Sequence, residues 1–457
     1  MSQFEQNLSE GHVGRQLIRF ATPFIISNLL QAFYNMADMV IVGQFAGTLS
    51  MSGVNIGGQV TQLINNVVFG LSAAATVLIG QYMGAKDRKS LEETVSTLFS
   101  FLLWLGLGLT VITVVLRDSI LHLIQTPEPS FAEASSYLLV TTLGIVFIFG
   151  YNALSAVMRG MGDSRRPLYF IAVAAAANVA LDLLFVAVFH WAAFGAALAT
   201  IMAQALSMLL CALYLRRSGF IFDFAPKSFR MSRERLKVLL RIGIPMSVQN
   251  LLSSMSFLFL TAMVNILDPT AIASAAVGAV GKFNAFGVMP AFAMSSAIAA
   301  MCAQNIGAGR YDRAAKTVRI GLLLSMGISV LVFALARFFP ETVIRIFAND
   351  PALIEAGKQY LSGFSWDYIL VPVFAAYNGL FIGAGHTKFT FLTGMTSALA
   401  IRIPTCYLLG MVMGQGLLGV GLGAPLASGV ASIMCLIYYL SGRWKRSTIL
   451  EQPAIAD

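Results

Sequence analysis

Apolar runs long enough to cross a bilayer recur along the whole chain, separated by short polar connections. Allowing about 20 residues per crossing at ~1.5 Å rise, the pattern divides into twelve segments. They are residues 18–45, 51–83, 94–116, 132–158, 168–189, 192–215, 238–267, 272–306, 320–339, 356–382, 389–413 and 417–440. The pattern predicts an all-α integral membrane protein of twelve transmembrane helices. Composition supports it: 57% of residues are hydrophobic and 11% charged, against roughly 45–50% and 25% in soluble domains. The polar opening Met1–Gly14 has neither the basic region nor the cleavage site of a secretory signal, so the first segment is expected to stay in the mature protein.

The charges orient these helices. Of 30 Lys and Arg, 24 fall in or beside the termini and the connections that follow even-numbered segments. Four fall on the opposite side, Arg117, Arg337, Arg345 and Lys358. Cytoplasmic loops carry the excess of basic residues, so both termini are expected in the cytoplasm, with a bacterial inner membrane as the location. The formal charge of +9 is thereby accounted for and implies no nucleic-acid partner; the partner expected is the lipid bilayer. The longest polar connection, Arg216–Arg241, separates two halves, read as bundles 1–215 and 238–457 joined by a basic linker 216–237.

The halves repeat. Leu17-Ile-Arg-Phe-Ala-Thr-Pro23 returns as Leu239-Leu-Arg-Ile-Gly-Ile-Pro245, Gly80-Gln-Tyr-Met-Gly-Ala85 as Ala303-Gln-Asn-Ile-Gly-Ala308, and Gly160-Met-Gly-Asp-Ser-Arg165 as Gly383-Ala-Gly-His-Thr-Lys388, each at an offset of 222 or 223. Three matches in one order point to duplication. Six segments per copy is an even number, so the copies share one orientation, and a pseudo-two-fold along the membrane normal is expected between two six-helix bundles.

Ionisable residues at membrane depth are costly, and they mark function. Asp38, Asp182 and Asp367 are the acids well inside segments, and Lys282 and Arg402 the bases. Asp38 shares a helical face with Asn35, Gln31 and Asn28, at steps of three, four and three. Counted from the outer ends at ~1.5 Å per residue, Asp38, Asp182 and Thr200 share a layer roughly 10–12 Å deep, with Asn178 one turn from Asp182. Two carboxylates, an amide and a hydroxyl make a hard, oxygen-rich site suited to a proton or a sodium ion. The second segment adds Asn55, Gln59, Gln62 and Asn66 at steps of four, three and four, for cavity lining or for packing. In the second half, Lys282, Asp367 and Arg402 fall at roughly 14–16 Å and are expected to meet, either as a structural ion pair or as a cluster that orients substrate.

Tyr34-Asn35-x-x-Asp38 before Val42-Gly43-Gln44, Asn178-x-x-x-Asp182, Thr200 before Ala203-Gln204, and the paired Gly-x-Gly loops together resemble the multidrug and toxic compound extrusion (MATE) family, in its DinF-type branch. The resemblance covers essentially the whole chain. It implies a cation-coupling site at Asp38, Asn178, Asp182 and Thr200, with Tyr34 as a neighbour. Residues expected to line the substrate cavity are Tyr34, Asn35, Gln31, Gln59, Gln62 and Gln249. One departure is the absence of any acid from 238–267, where some relatives carry one.

The function expected is secondary active efflux of organic, cationic or amphipathic compounds by antiport against protons or sodium, with alternating access between the bundles. The alternative is a lipid-linked saccharide flippase of the same superfamily. No enzyme activity is expected, because the acids at depth have no His or Cys partner to complete a catalytic set. No cofactor is expected, nor any metal beyond sodium at the coupling site. Cys211, Cys302, Cys406 and Cys435 are isolated, His12, His122, His190 and His386 scattered, and no phosphate-binding loop for ATP is present.

Overall fold

A computed structural model describes residues 6–268, 272–347 and 349–449; residues 1–5 and 450–457, which the expected bundles include, lie outside the described residues. Among the described residues the structure is entirely helical, as the apolar pattern requires. In the first half the helices are α1 (Val13–Phe45), α2 (Gly47–Gly84), α3 (Arg88–Leu123), α4 (Glu128–Leu143), α5 (Ile145–Gly160), α6 (Arg165–Asp182) and α7 (Ala192–Arg217). The second half continues with α8 (Arg233–Leu267), α9 (Ile272–Gly307), α10 (Tyr311–Phe338), the short α11 (Pro340–Arg345), α12 (Pro351–Phe364), α13 (Asp367–Gly383), α14 (Thr387–Met395), α15 (Ile403–Thr405) and α16 (Gly416–Leu440).

Among the described residues ten stretches are long and apolar enough to span a membrane, or eleven if α4 and α5, bent by 47°, are taken as one span. The bend falls at Gly144, where an added Cβ would lie 2.2 Å from Ile201. The pair α12 and α13 occupies the matching place in the second half, broken at Ser365 and Trp366. Two repeated turns show the duplication directly. Gly162 and Gly385 both take positive φ, +91° and +83°, a conformation that costs other residues a steric penalty.

By internal contacts the chain falls into two compact units, and their ends are exchanged. The first holds residues up to Asn7 together with Ile26–Ser247, and the second holds Leu8–Ile25 together with residues from Val248 onward. The crossovers after Ile25 and after Ser247 each follow a repeated proline within three residues, Pro23 in α1 and Pro245 in α8. In the second unit Leu17, Phe20 and Ala21 join a buried cluster with Ile298, Met301 and Leu380. In the first, Ser247 Oγ donates to the Val67 carbonyl at 3.0 Å, and the linker is sealed by Ser96 Oγ to the carbonyls of Ser228 and Arg230.

Helices approach one another over small residues, as expected where lipid is as apolar as leucine and association depends on close contact. A Cβ on Gly363 would lie 2.5 Å from the Leu418 carbonyl oxygen, and one on Gly421 2.4 Å from that of Tyr360. These two glycines let α12 and α16 touch backbone to backbone.

Candidate functional site

In the first unit three helices bring oxygen-bearing side chains under one apolar cluster. Ile41, Val42, Val54, Tyr137, Val186, Ala193, Ala196 and Ala197 are buried together. Asp38 lies one turn before Ile41 and Val42, Asp182 one turn before Val186, and Thr200 one turn after Ala196 and Ala197. The cluster therefore fixes all three polar groups at one level. Asn178 Nδ2 points to Thr200 Oγ1 at 3.5 Å, a long hydrogen bond. Asp38 and Asp182 lie within electrostatic reach of each other.

What these groups lack is donors. Asp38 Oδ1, Asn178 Oδ1 and both carboxylate oxygens of Asp182 are buried without any hydrogen-bond partner. Asp38 is 8% exposed, Asn178 2% and Asp182 0%. Buried polar atoms are ordinarily satisfied, and an orphan carboxylate is expensive to hold. Several unsatisfied oxygens with no ion pair among the described residues form the outline of a cation site. The helix also changes form there: Asp182 ends the α-helical part of its span, and Leu183–Val188 continues as π-helix, a form concentrated at functional positions.

Two residues join this site that the sequence reading passed over or left outside it. Tyr137 is buried within electrostatic reach of Asp38, Tyr34 and Asp182, and Gln204 lies within hydrogen-bonding reach of the Tyr34 hydroxyl. The same depth count would have found Tyr137, but a tyrosine in an apolar run carries no charge to draw notice.

The remaining cavity residues are dispersed. Gln31 is half-buried and Asn35 exposed on α1; Gln59 and Gln62 are exposed on α2. Gln62 Nε2 donates to Asn66 Oδ1 at 3.4 Å, so part of that stripe is hydrogen-bonded to itself. Gln249 is half-buried in the second unit against Gly394, where a Cβ would lie 2.7 Å from its Nε2.

Of the expected cluster of Lys282, Asp367 and Arg402, Asp367 and Arg402 lie within electrostatic reach of each other. Among the described residues no ion pair joins them. Lys282 is exposed. Asp367 opens α13, has a buried Oδ1 without a partner, and lies within hydrogen-bonding reach of Ser428. Arg402 places its guanidinium 4.8 Å from the centre of the Phe257 ring, and its Nε is buried without an acceptor. Arg402 ends a π-helical stretch, Thr396–Arg402. Among the described residues no three His, Cys, Asp or Glu side chains converge to hold a metal ion.

Known proteins resemble the chain over its length. The MatE family profile matches residues 23–184 and 245–408, two segments whose starts are offset as the repeat is. The probable multidrug resistance protein YpnP of Bacillus subtilis is 28% identical, covering 98% of this chain and 99% of its own. The probable multidrug resistance protein NorM of Thermotoga maritima is 27% identical over 97% and 96%. Among solved structures, a MOP superfamily transporter from Pyrococcus furiosus superposes with a TM-score of 0.90 at 22% identity, covering 98% of this chain and 99% of its own.

Proposed function

The chain belongs to the MatE family of multidrug and toxic compound extrusion transporters, and from that premise we propose that it exports organic cations or amphipathic compounds in exchange for inward-moving protons or sodium ions. The coupling ion binds in the first unit, at Asp38, Asn178, Asp182 and Thr200, in the manner of the DinF-type branch. The observation that carries this reading is the set of buried oxygens without donors.

The chemistry follows from charge. Two carboxylates in a weakly solvated site are costly to keep ionised together, and a proton or a sodium ion neutralises them. A cationic substrate competes for the same negative field. Ion and substrate then exclude one another, and by linkage each weakens the other's binding by the same factor. Alternating access of the two halves converts that competition into exchange. Tyr34, Gln31 and Asn35, on the same helix as Asp38, supply polar contacts to the substrate, with Gln59, Gln62 and Gln249 as further lining. The protein works as a monomer in the inner membrane with its basic loops in the cytoplasm.

The test is export of a fluorescent cation from vesicles under separately imposed proton and sodium gradients. Export driven by one of these gradients supports the reading. Export that continues after both are collapsed contradicts it.

A further inference from the structure

The second unit contains a cavity of about 790 Å³ at its basic end, lined by His12, Arg310, Asp312, Arg313, Lys316 and Lys445 among others. It shares no residue with the coupling site. We propose that this cavity binds a phosphate-bearing anion.

The arginines in its wall are held in place by carbonyl oxygens, with Glu10 within electrostatic reach of Arg313. Arg310 Nη1 donates to the Ser9 carbonyl at 2.6 Å. Arg313 donates to the carbonyls of Gly11 and Glu10 at 2.6 and 2.8 Å, and to Gln16 Oε1 at 2.6 Å. These partners are carbonyl oxygens, which satisfy the guanidinium hydrogens but leave the positive charge in place. Lys316 and Lys445 are exposed, with no acid within ion-pairing distance among the described residues. Lys445 is nonetheless fixed: the turn Arg443–Lys445 is anchored by buried Trp444, which stacks on Tyr439 at 5.6 Å and donates its Nε1 to the Tyr439 carbonyl at 3.2 Å. Against four Lys and Arg, the lining offers one carboxylate, Asp312. The lining also includes the first turn of α10, whose leading N–H groups have no intrahelical acceptor.

The other copy of the repeat shows what a closed version looks like. Lys316 stands at the repeat position of Glu93, and Glu93 Oε2 accepts from Arg235 Nε at 3.1 Å. Arg235 also donates to Tyr82 and Ser90, which completes an ion pair within hydrogen bonds. In the second unit the acid has become lysine, and the repeat counterpart of Arg235 is Val13. A neutral structural pair has been replaced by an open group of positive charge. Phosphate, with several acceptor oxygens and up to two charges, complements lysines and helix N–H groups. An anionic lipid headgroup at the membrane surface and a soluble polyphosphate both present that chemistry.

The test titrates the detergent-purified full-length protein with phosphatidylglycerol in one arm and inorganic pyrophosphate in the other, reading bound ligand by native mass spectrometry. Replacing Lys316→Gln with Lys445→Gln should weaken binding on the order of 30-fold, since each lysine near an anionic phosphate contributes roughly fivefold. Lys227→Glu, in the exposed linker, should leave it unchanged, and the Lys316→Arg, Lys445→Arg pair should retain it, which separates charge from packing. Loss in the phosphatidylglycerol arm identifies a lipid headgroup, and loss in the pyrophosphate arm a soluble ligand. Equal binding by wild type and the glutamine pair, or no binding of either probe by wild type, overturns the proposal.

Discussion

The two units descend from one pattern yet place their buried acids at different positions. In the first, Asp38 and Asp182 are kept without ion-pair partners beneath an apolar cluster. At the repeat position of Asp38 the second unit has Leu260, packed with Val264, Tyr360, Tyr368 and Cys406. The counterpart of Asp182 is Pro404 or Thr405, and that of Thr200 is Leu422 or Gly423. The π-helix survives in both copies, at Leu183–Val188 and at Cys406–Val412. Backbone form has therefore been retained where the ligand set has not. At Leu260 the second copy has become core.

The largest expected effect comes from erasing the difference on the first side. Asp38→Asn or Asp182→Asn should reduce gradient-driven export on the order of 100-fold, the upper range of a coupling free energy, while membrane insertion and thermal stability stay near wild type. Export within a few-fold of wild type by either variant would break the comparison. The reverse change tests the other side. Leu260→Asp puts an uncompensated carboxylate into an apolar cluster and should cost roughly 3–5 kcal/mol of stability, measured by denaturation in detergent, without adding a second ion per transport cycle.

A smaller effect sharpens the account of the second unit. Because Arg402 sits over Phe257 and within electrostatic reach of Asp367 without a direct ion pair among the described residues, a double-mutant cycle with Asp367→Asn and Arg402→Gln should give a coupling below about 1 kcal/mol. A coupling of roughly 2–3 kcal/mol would restore the ion pair. The smallest concerns helix caps. Asp87 caps α3, accepting from the Ser90 N–H at 3.1 Å, whereas Arg310, its counterpart in the repeat, begins α10 without a side-chain cap. Hydrogen bonds from the Ser90 side chain and backbone hold the Asp87 carboxyl below its ordinary value of 3.8. A depressed carboxyl stabilises the fold above its unfolded pKa and loses that contribution as pH falls through the folded value. Asp87→Ala should therefore cost about 0.5–1 kcal/mol near neutrality and progressively less below pH 3.8. A cost independent of pH would mean that the carboxylate is not the cap.

The membrane fold was legible because apolar run length and loop charge are properties of the chain alone. The neighbourhood of Asp38 and Asp182 follows from rise along a helix, which converts sequence distance into position along the span, and the two acids do lie within electrostatic reach. Their role remains the proposal made above. Breaks in the helices were not legible: the span holding Asp367 is broken at Ser365 and Trp366, and the one holding Arg402 is π-helical up to that residue. Neither irregularity changes hydrophobicity, so the pattern gave no sign of them. The exchange of α1 and α8 ends was likewise invisible, since an apolar face does not state which unit covers it.

The central claim is that the coupling ion occupies the first unit's unsatisfied oxygens and is expelled by substrate. The most direct measurement follows proton and sodium release from the purified full-length protein when a cationic substrate is added, using a pH indicator in weak buffer and a sodium electrode. The account predicts stoichiometric release of one of these ions by wild type, absent in Asp38→Asn and in Asp182→Asn, and retained in Asp367→Asn. Undiminished release from Asp38→Asn, or release abolished only by Asp367→Asn, would contradict it.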